Sequence, residues 1–143
     1  MEDKWIGNYT YGELYPVDMR GKSYAFTIKW TVNEGIISGS CIEEESKNIF
    51  SEPIPISGFI EKKFISFIKK YPHPIAKDDN LQSYIKENEP PLEIHYSGNF
   101  IDRHFEGIWQ LTLPYIGTNG RKYNRNLNGT WTMRRIKDSI DNS

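Results

Sequence analysis

The chain reads as an all-β protein, a single antiparallel up-and-down β-barrel of about eight strands with one short helix in a long insertion. Three observations carry that reading. Apolar and polar residues alternate with period two through most of the 143 residues. One hairpin is written twice, as FIEKKFISFI from Phe59 to Ile68 and FIDRHFEGIW from Phe100 to Trp109. Glycine recurs inside the alternating runs, at Gly7, Gly39, Gly58, Gly98, Gly107 and Gly129. A strand interior tolerates glycine poorly unless it must bend or make room.

The first strand runs from Trp5 to Tyr11. The clearest one follows, with Tyr24, Phe26, Ile28, Trp30 and Val32 on one phase and Ala25, Thr27, Lys29 and Thr31 on the other. Asn33-Glu34-Gly35 then turns the chain into a strand over Ile36–Glu43. Further strands are expected over Pro53–Glu61, Phe64–Lys70, Leu92–Ile101, Phe105–Leu113 and Gly129–Ile136. Two connections are long. The 72–91 insertion carries Asp78 or Asp79 as a cap for one helix, with Leu81, Tyr84 and Ile85 on one face and Asn88 and Pro90 as the stop. The second, Tyr115 to Asn128, is rich in Gly and Asn and reads as a loop. The barrel domain is placed at 1–137 and a flexible C-terminal tail at 138–143.

Each repeat is a strand ending in Phe-Ile, a charged reversal, and a strand beginning with Phe. The second copy carries one extra residue, Asn99, between its Gly and its Phe. One inserted residue exchanges the inward and outward faces unless a bulge absorbs it. A twisted meander of this kind closes because closure removes the exposed edges. The in-strand glycines mostly share the phase of the large apolar residues, which suits corners of a packed barrel or space left for a ligand.

Composition excludes several classes. Eighteen basic residues face 19 acidic ones, so no field of one sign draws the chain to nucleic acid. Glu43-Glu44-Glu45, Lys62-Lys63 and Lys69-Lys70 read as solvated turns and strand edges. The lone Cys41 shares the phase of Ile37 and Gly39, which suits a small buried hydrophobe. With no signal peptide and no stretch of roughly 18 apolar residues, membrane insertion is not expected and the cytoplasm is the expected compartment. Nothing in the pattern selects an oligomeric state.

Chemistry is sparse. His73 lies between prolines; register places His95 opposite Gln110 and His104 opposite Ile101, so these histidines do not meet in a metal site. Among acids, Glu43 and Asp78-Asp79 stand out, both at the expected rim. No phosphate-cradling loop, nucleophile–base pair or cofactor motif occurs, and the reading leans against catalysis. The inner phase holds Trp5, Tyr9, Tyr11, Tyr24, Phe26, Trp30, Tyr96, Trp109 and Trp131. An eight-stranded barrel is filled by such rings or holds one small ligand among them.

The pattern resembles the calycin group (lipocalins, fatty-acid-binding proteins and avidin-like barrels) in architecture. The resemblance rests on the meander, on Gly107-Ile108-Trp109 and Gly129-Thr130-Trp131, and on an aromatic first strand with a basic last one. It implies a first-strand Trp packed on a last-strand Arg near the closed end, parts that fall to Trp5 and to Arg135 or Arg134. Trp5-Ile6-Gly7 reverses the Gly-Trp order, and the longest insertion sits between the fifth and sixth strands. No functional residue transfers.

The expected function is non-catalytic binding of a small apolar or amphipathic ligand inside the barrel, without a cofactor or a metal. Tyr9, Tyr24, Trp30, Tyr96, Trp109 and Arg135 are the expected ligand-binding residues. A cavity of roughly 300 Å³ or more would favour that reading. A solid core with an exposed apolar patch would favour a filled barrel acting as a protein-interaction module. A cofactor-free isomerase or cyclase is the third alternative.

Overall fold

A computed structural model of the protein describes residues 2–47, 50, 52–72, 75–77, 83–85 and 92–136. Among them, eight strands close into one barrel: β1 (Asp3–Tyr11), β2 (Ser23–Asn33), β3 (Ile36–Glu43), β4 (Ile54–Glu61), β5 (Phe64–Tyr71), β8 (Leu92–Ile101), β9 (His104–Ile116) and β10 (Lys122–Arg135). Every neighbouring pair is antiparallel and follows chain order, and β1 pairs with β10 to seal the ring. Two short strands, β6 (Ile75–Lys77) and β7 (Ser83–Ile85), pair with each other outside it. Part of the helix expected in the 72–91 insertion thus falls on a strand, and the helix is not confirmed. Asp78, Asp79, Leu81, Asn88 and Pro90 lie outside the described residues, as does the 138–143 tail.

The two ends of the barrel differ. At one end, two-residue reversals join β2 to β3, β4 to β5 and β8 to β9. Their left-handed positions fall on Glu34, Gly35, Lys62, Asp102 and Arg103. The other end carries the long connections, 12–22, 44–53, 72–91 and 117–121. The expected loop at 115–128 is mostly strand. Lys122–Asn126 pairs with Thr112–Ile116 as an arm whose β10 side chains are all exposed. The β10 side of the arm has no buried residue and no apolar alternation, so its polar sequence read as a loop.

Packing follows the inner phase. All four tryptophans are buried. The tight-turn half is filled by rings: Trp5 lies 5.4 Å from Trp30 and 5.1 Å from Phe105, and Phe67 lies 5.5 Å from Trp131. Fully burying such a side chain contributes roughly 1.5–3 kcal/mol. The indole N–H of Trp131 donates to the carbonyls of Ser97 and Ile108 at 3.1 and 3.0 Å, beside the facing Gly98–Gly107 pair. A Cβ at Gly129 would meet the Thr10 carbonyl and the Trp109 ring, so that glycine lets two strands and a ring close up.

The extra residue of the second repeat is not absorbed by a bulge. β8 keeps an unbroken register with β5 and with β9 through Asn99. The faces therefore exchange. Phe59 and Phe64 sit 6.0 Å apart and exposed, whereas Phe100 and Phe105 sit 4.9 Å apart against the core. The two similar hairpins thus present opposite faces to the interior. Deleting Asn99 is expected to drive Phe100 outward and Ile101 inward and to abolish cooperative unfolding, measured by circular dichroism in urea. A protein that unfolds as cooperatively without Asn99 would contradict this register.

Candidate functional site

The long-loop half contains charge. Glu43 ends β3 on the phase of Ile37 and Cys41, and Lys69 lies on β5 on the phase of Ile65, Phe67 and Tyr71. Both side chains are fully buried, so neither is the rim acid nor the solvated lysine that its sequence neighbours suggested. They form an ion pair at 2.9 Å. Lys69 Nζ also donates to the Tyr96 hydroxyl at 3.0 Å and lies 4.4 Å from the ring centres of both Phe26 and Tyr96. The Tyr71 hydroxyl donates to Glu43 Oε2 at 2.5 Å, and Ser46 Oγ donates to Oε1 at 3.1 Å. Each charge is therefore paired and hydrogen-bonded, the condition under which buried ions are tolerated.

A second carboxylate stands nearer the opening. Glu45, half-buried, comes from the β3–β4 loop and accepts hydrogen bonds from the Tyr9 and Tyr11 hydroxyls, the latter at 2.5 and 2.7 Å. Rings surround it. Tyr11 packs on Tyr15 at 4.6 Å, on Trp109 at 5.8 Å and on Tyr24 at 5.9 Å. Beside Glu43 a cleft of about 120 Å³ opens, lined by Cys41, Ser46, Phe50, Pro53 and Ile54 among others. Of the acidic run, only Glu44 faces solvent, ion-paired with Lys47 at 2.8 Å.

The sequence-derived candidates divide cleanly. Tyr9, Tyr24, Tyr96 and Trp109 converge on this end. Trp30 instead fills the tight-turn half against Trp5, Phe67 and Phe105. Arg135 shares its register with Trp5 but lies at the rim of the tight-turn end, exposed and paired to Asp3 at 2.9 Å. The buried base is Lys69. Its position and that of Glu43 were signalled by phase, since each sits on the inward side of an alternating strand. Glu45 and Ser46 lie beyond a strand end, where no periodicity marks them. His95 and His104 face Gln110 and Ile101, as their spacing required.

Solved structures share this architecture. The rhizavidin–biotin complex matches with a TM-score of 0.50 at 15% identity, over 97% of this chain and 95% of that one. Rhizavidin by itself matches at 0.47 and 14%, over 96% and 84%, and the bradavidin2–biotin complex at 0.45 and 16%, over 94% and 96%. The chain shares the closed, antiparallel eight-stranded barrel fold of the rhizavidin–biotin complex. At these identities the likeness is one of fold. No family model and no curated protein matches the sequence.

Burial sets the electrostatics. It pushes the hydroxyls of Tyr9, Tyr11, Tyr15, Tyr71 and Tyr96 above their usual range, with the nearby carboxylates adding to the shift for Tyr9, Tyr11 and Tyr71. The Cys41 thiol is pushed up to about 12, again mainly by burial. Burial alone would lower the Lys69 ammonium. Cys41, Glu43 and Tyr96 beside it outweigh that and hold it above its ordinary value. All these groups keep their protons more tightly folded than unfolded, so the folded state loses ground as pH rises. Their contribution is complete below the ordinary values of 9.0 for the thiol and 10.0 for the phenols, and is lost above them. The urea midpoint is therefore expected to fall from about pH 9 upward. Tyrosinate absorbance from these five tyrosines should grow only as the sheet signal disappears; its appearance in the intact fold would contradict their burial.

Proposed function

We propose that the protein is a non-catalytic binder of a small amphipathic molecule, held at the long-loop end of the barrel. The observation that carries this reading is the segregation of buried polar groups. The tight-turn half is packed with rings, while Glu43, Lys69, Tyr71, Tyr96 and Ser46, with Glu45 above them, gather in the other half. A buried ionic cluster is seldom the cheapest way to fill a core. Aromatic walls with a few convergent polar groups are the usual form of a small-molecule site. The rhizavidin–biotin complex, whose fold this chain resembles, supports the same use of the barrel. Tyr9, Tyr11 and Tyr96 orient the polar end of the ligand; Tyr24 and Trp109 cover its apolar part.

A second reading has its own observation. Ile36, Phe59 and Phe64 form an exposed apolar ridge across β3, β4 and β5, which suits a filled barrel that meets a protein partner.

Trp109 is the tryptophan that touches Tyr9, Tyr11 and Tyr15, so it reports on the site. Titration with an apolar carboxylic, amide or alcohol library is expected to give a saturable fluorescence change at one ligand per chain, most of it lost in Trp109→Phe. No saturable response to any member, or one unaffected by Trp109→Phe, would sink the binder reading and leave the ridge.

A further inference from the structure

The outer wall of the barrel carries a groove of about 490 Å³ that crosses β8, β9, β10 and β1. Small-molecule sites run from roughly 300 Å³ upward. Strand register builds the groove from two rows. Asn8, Thr132, Glu106 and Asn99 stand opposite one another in turn, and Thr10, Thr130 and Ile108 form the next row. The surrounding wall is uncharged: from Ile108 to Thr112 on β9 and from Asn126 to Thr132 on β10, every exposed side chain is neutral. Across β1 and β2, by contrast, Lys4 faces Lys29. Loss of charge from an exposed patch is the compositional mark of a surface that is covered. Its polar groups are also open. The side chains of Asn8, Asn99, Thr130 and Thr132 make no hydrogen bond with another described residue, whereas Thr10 shares one with Ser23 at 2.5 Å.

We propose that this groove binds a short neutral glycan, independently of any ligand held at the mouth. The donor set selects that chemistry. Thr and Asn side chains both donate and accept, as sugar hydroxyls do, so the two can pair in either sense. Glu106 only accepts; His104 Nε2 lies 3.4 Å from its Oε2, which leaves Oε1 to a sugar hydroxyl. Ile101 and Ile108, both nearly half exposed, offer the aliphatic face of a sugar ring an apolar surface to cover. Among the described residues that line the groove, none is Lys or Arg. Carboxylate, sulfate and phosphate ligands therefore find no charged donor there, and Glu106 repels them. Neighbouring strands lie about 4.8 Å apart, so the row from Asn8 to Asn99 spans roughly 14 Å. That length fits a short oligosaccharide better than a single ring.

Chemical-shift titration of the isotope-labelled full chain with maltotriose, cellotriose, diacetylchitobiose and the acidic trigalacturonate tests this. At least one neutral sugar is expected to move the amides of Asn8, Asn99, Thr130 and Thr132 saturably, with a dissociation constant on the order of 1 mM. Trigalacturonate should bind about tenfold more weakly, since it meets Glu106 and no cation. Thr132 is exposed, so Thr132→Lys puts bulk and charge in the groove without touching the core. It should weaken the neutral sugar by about tenfold, the scale of one lost hydrogen bond, and leave the Trp109 response at the mouth unchanged. Thr130→Val, which removes a hydroxyl at constant shape, should weaken the same sugar and serves if the lysine variant does not fold. Three results overturn the assignment: no neutral sugar moves these amides, trigalacturonate binds as tightly as the neutral sugars, or both variants bind like wild type. Sedimentation showing a dimer that Thr132→Lys dissociates would also overturn it and give the groove to a second copy of the chain. None of these outcomes bears on the ligand at the mouth, which Trp109 reports separately.

Discussion

The ion pair between Lys69 and Glu43 divides this barrel into two halves of different character. Below it, tryptophan and phenylalanine rings fill the interior. Above it, hydroxyls and carboxylates are paired with one another inside a ring of tyrosines. A buried lysine without its acid, or an acid without its lysine, would leave a charge in a medium that solvates it poorly. Each member of the cluster is therefore placed by the others. Tyr71 and Ser46 complete Glu43, Tyr96 and the ring faces complete Lys69, and Ser46 in turn fixes the start of the loop that carries Glu45.

The architecture was legible because it rests on period two. The strand from Tyr24 to Trp30 turned its rings inward, the four tryptophans followed, and the repeated hairpins appeared as adjacent pairs of a meander. Asn99 shows how local that legibility is. The sequence marks an insertion, but whether a bulge or a change of face absorbs it depends on register with two neighbouring strands. Here the unbroken ladders turn Phe59 outward and Phe100 inward. The β10 side of the arm was missed for a related reason, since a run of exposed residues from Lys122 to Asn126 carries no alternation to read.

The site was half legible. Tyrosine and tryptophan on the inner phase led to Tyr9, Tyr24, Tyr96 and Trp109, which lie together at the long-loop end. Arg135 follows the same phase, yet it sits one step past the last packed layer and meets Asp3 in solvent. Lys69 carried the same signal and was read as part of a basic pair at an edge, although its phase with Phe67 and Tyr71 pointed inward. Glu45 carried no signal, because a loop residue that folds back over a barrel mouth is placed by tertiary contacts alone.

The central claim is that the polar half exists for a ligand rather than for stability. Replacing Glu43 and Lys69 together, as Glu43→Gln with Lys69→Met, tests it most directly. Removing either partner singly should destabilise by about 3–5 kcal/mol, because a charge is left unpaired in the interior. The double replacement should recover stability to within about 1 kcal/mol of the parent, while the saturable response of Trp109 to ligand is lost. A double variant that stays as unstable as the single ones and still binds would mean that the pair is structural and the ligand site lies elsewhere.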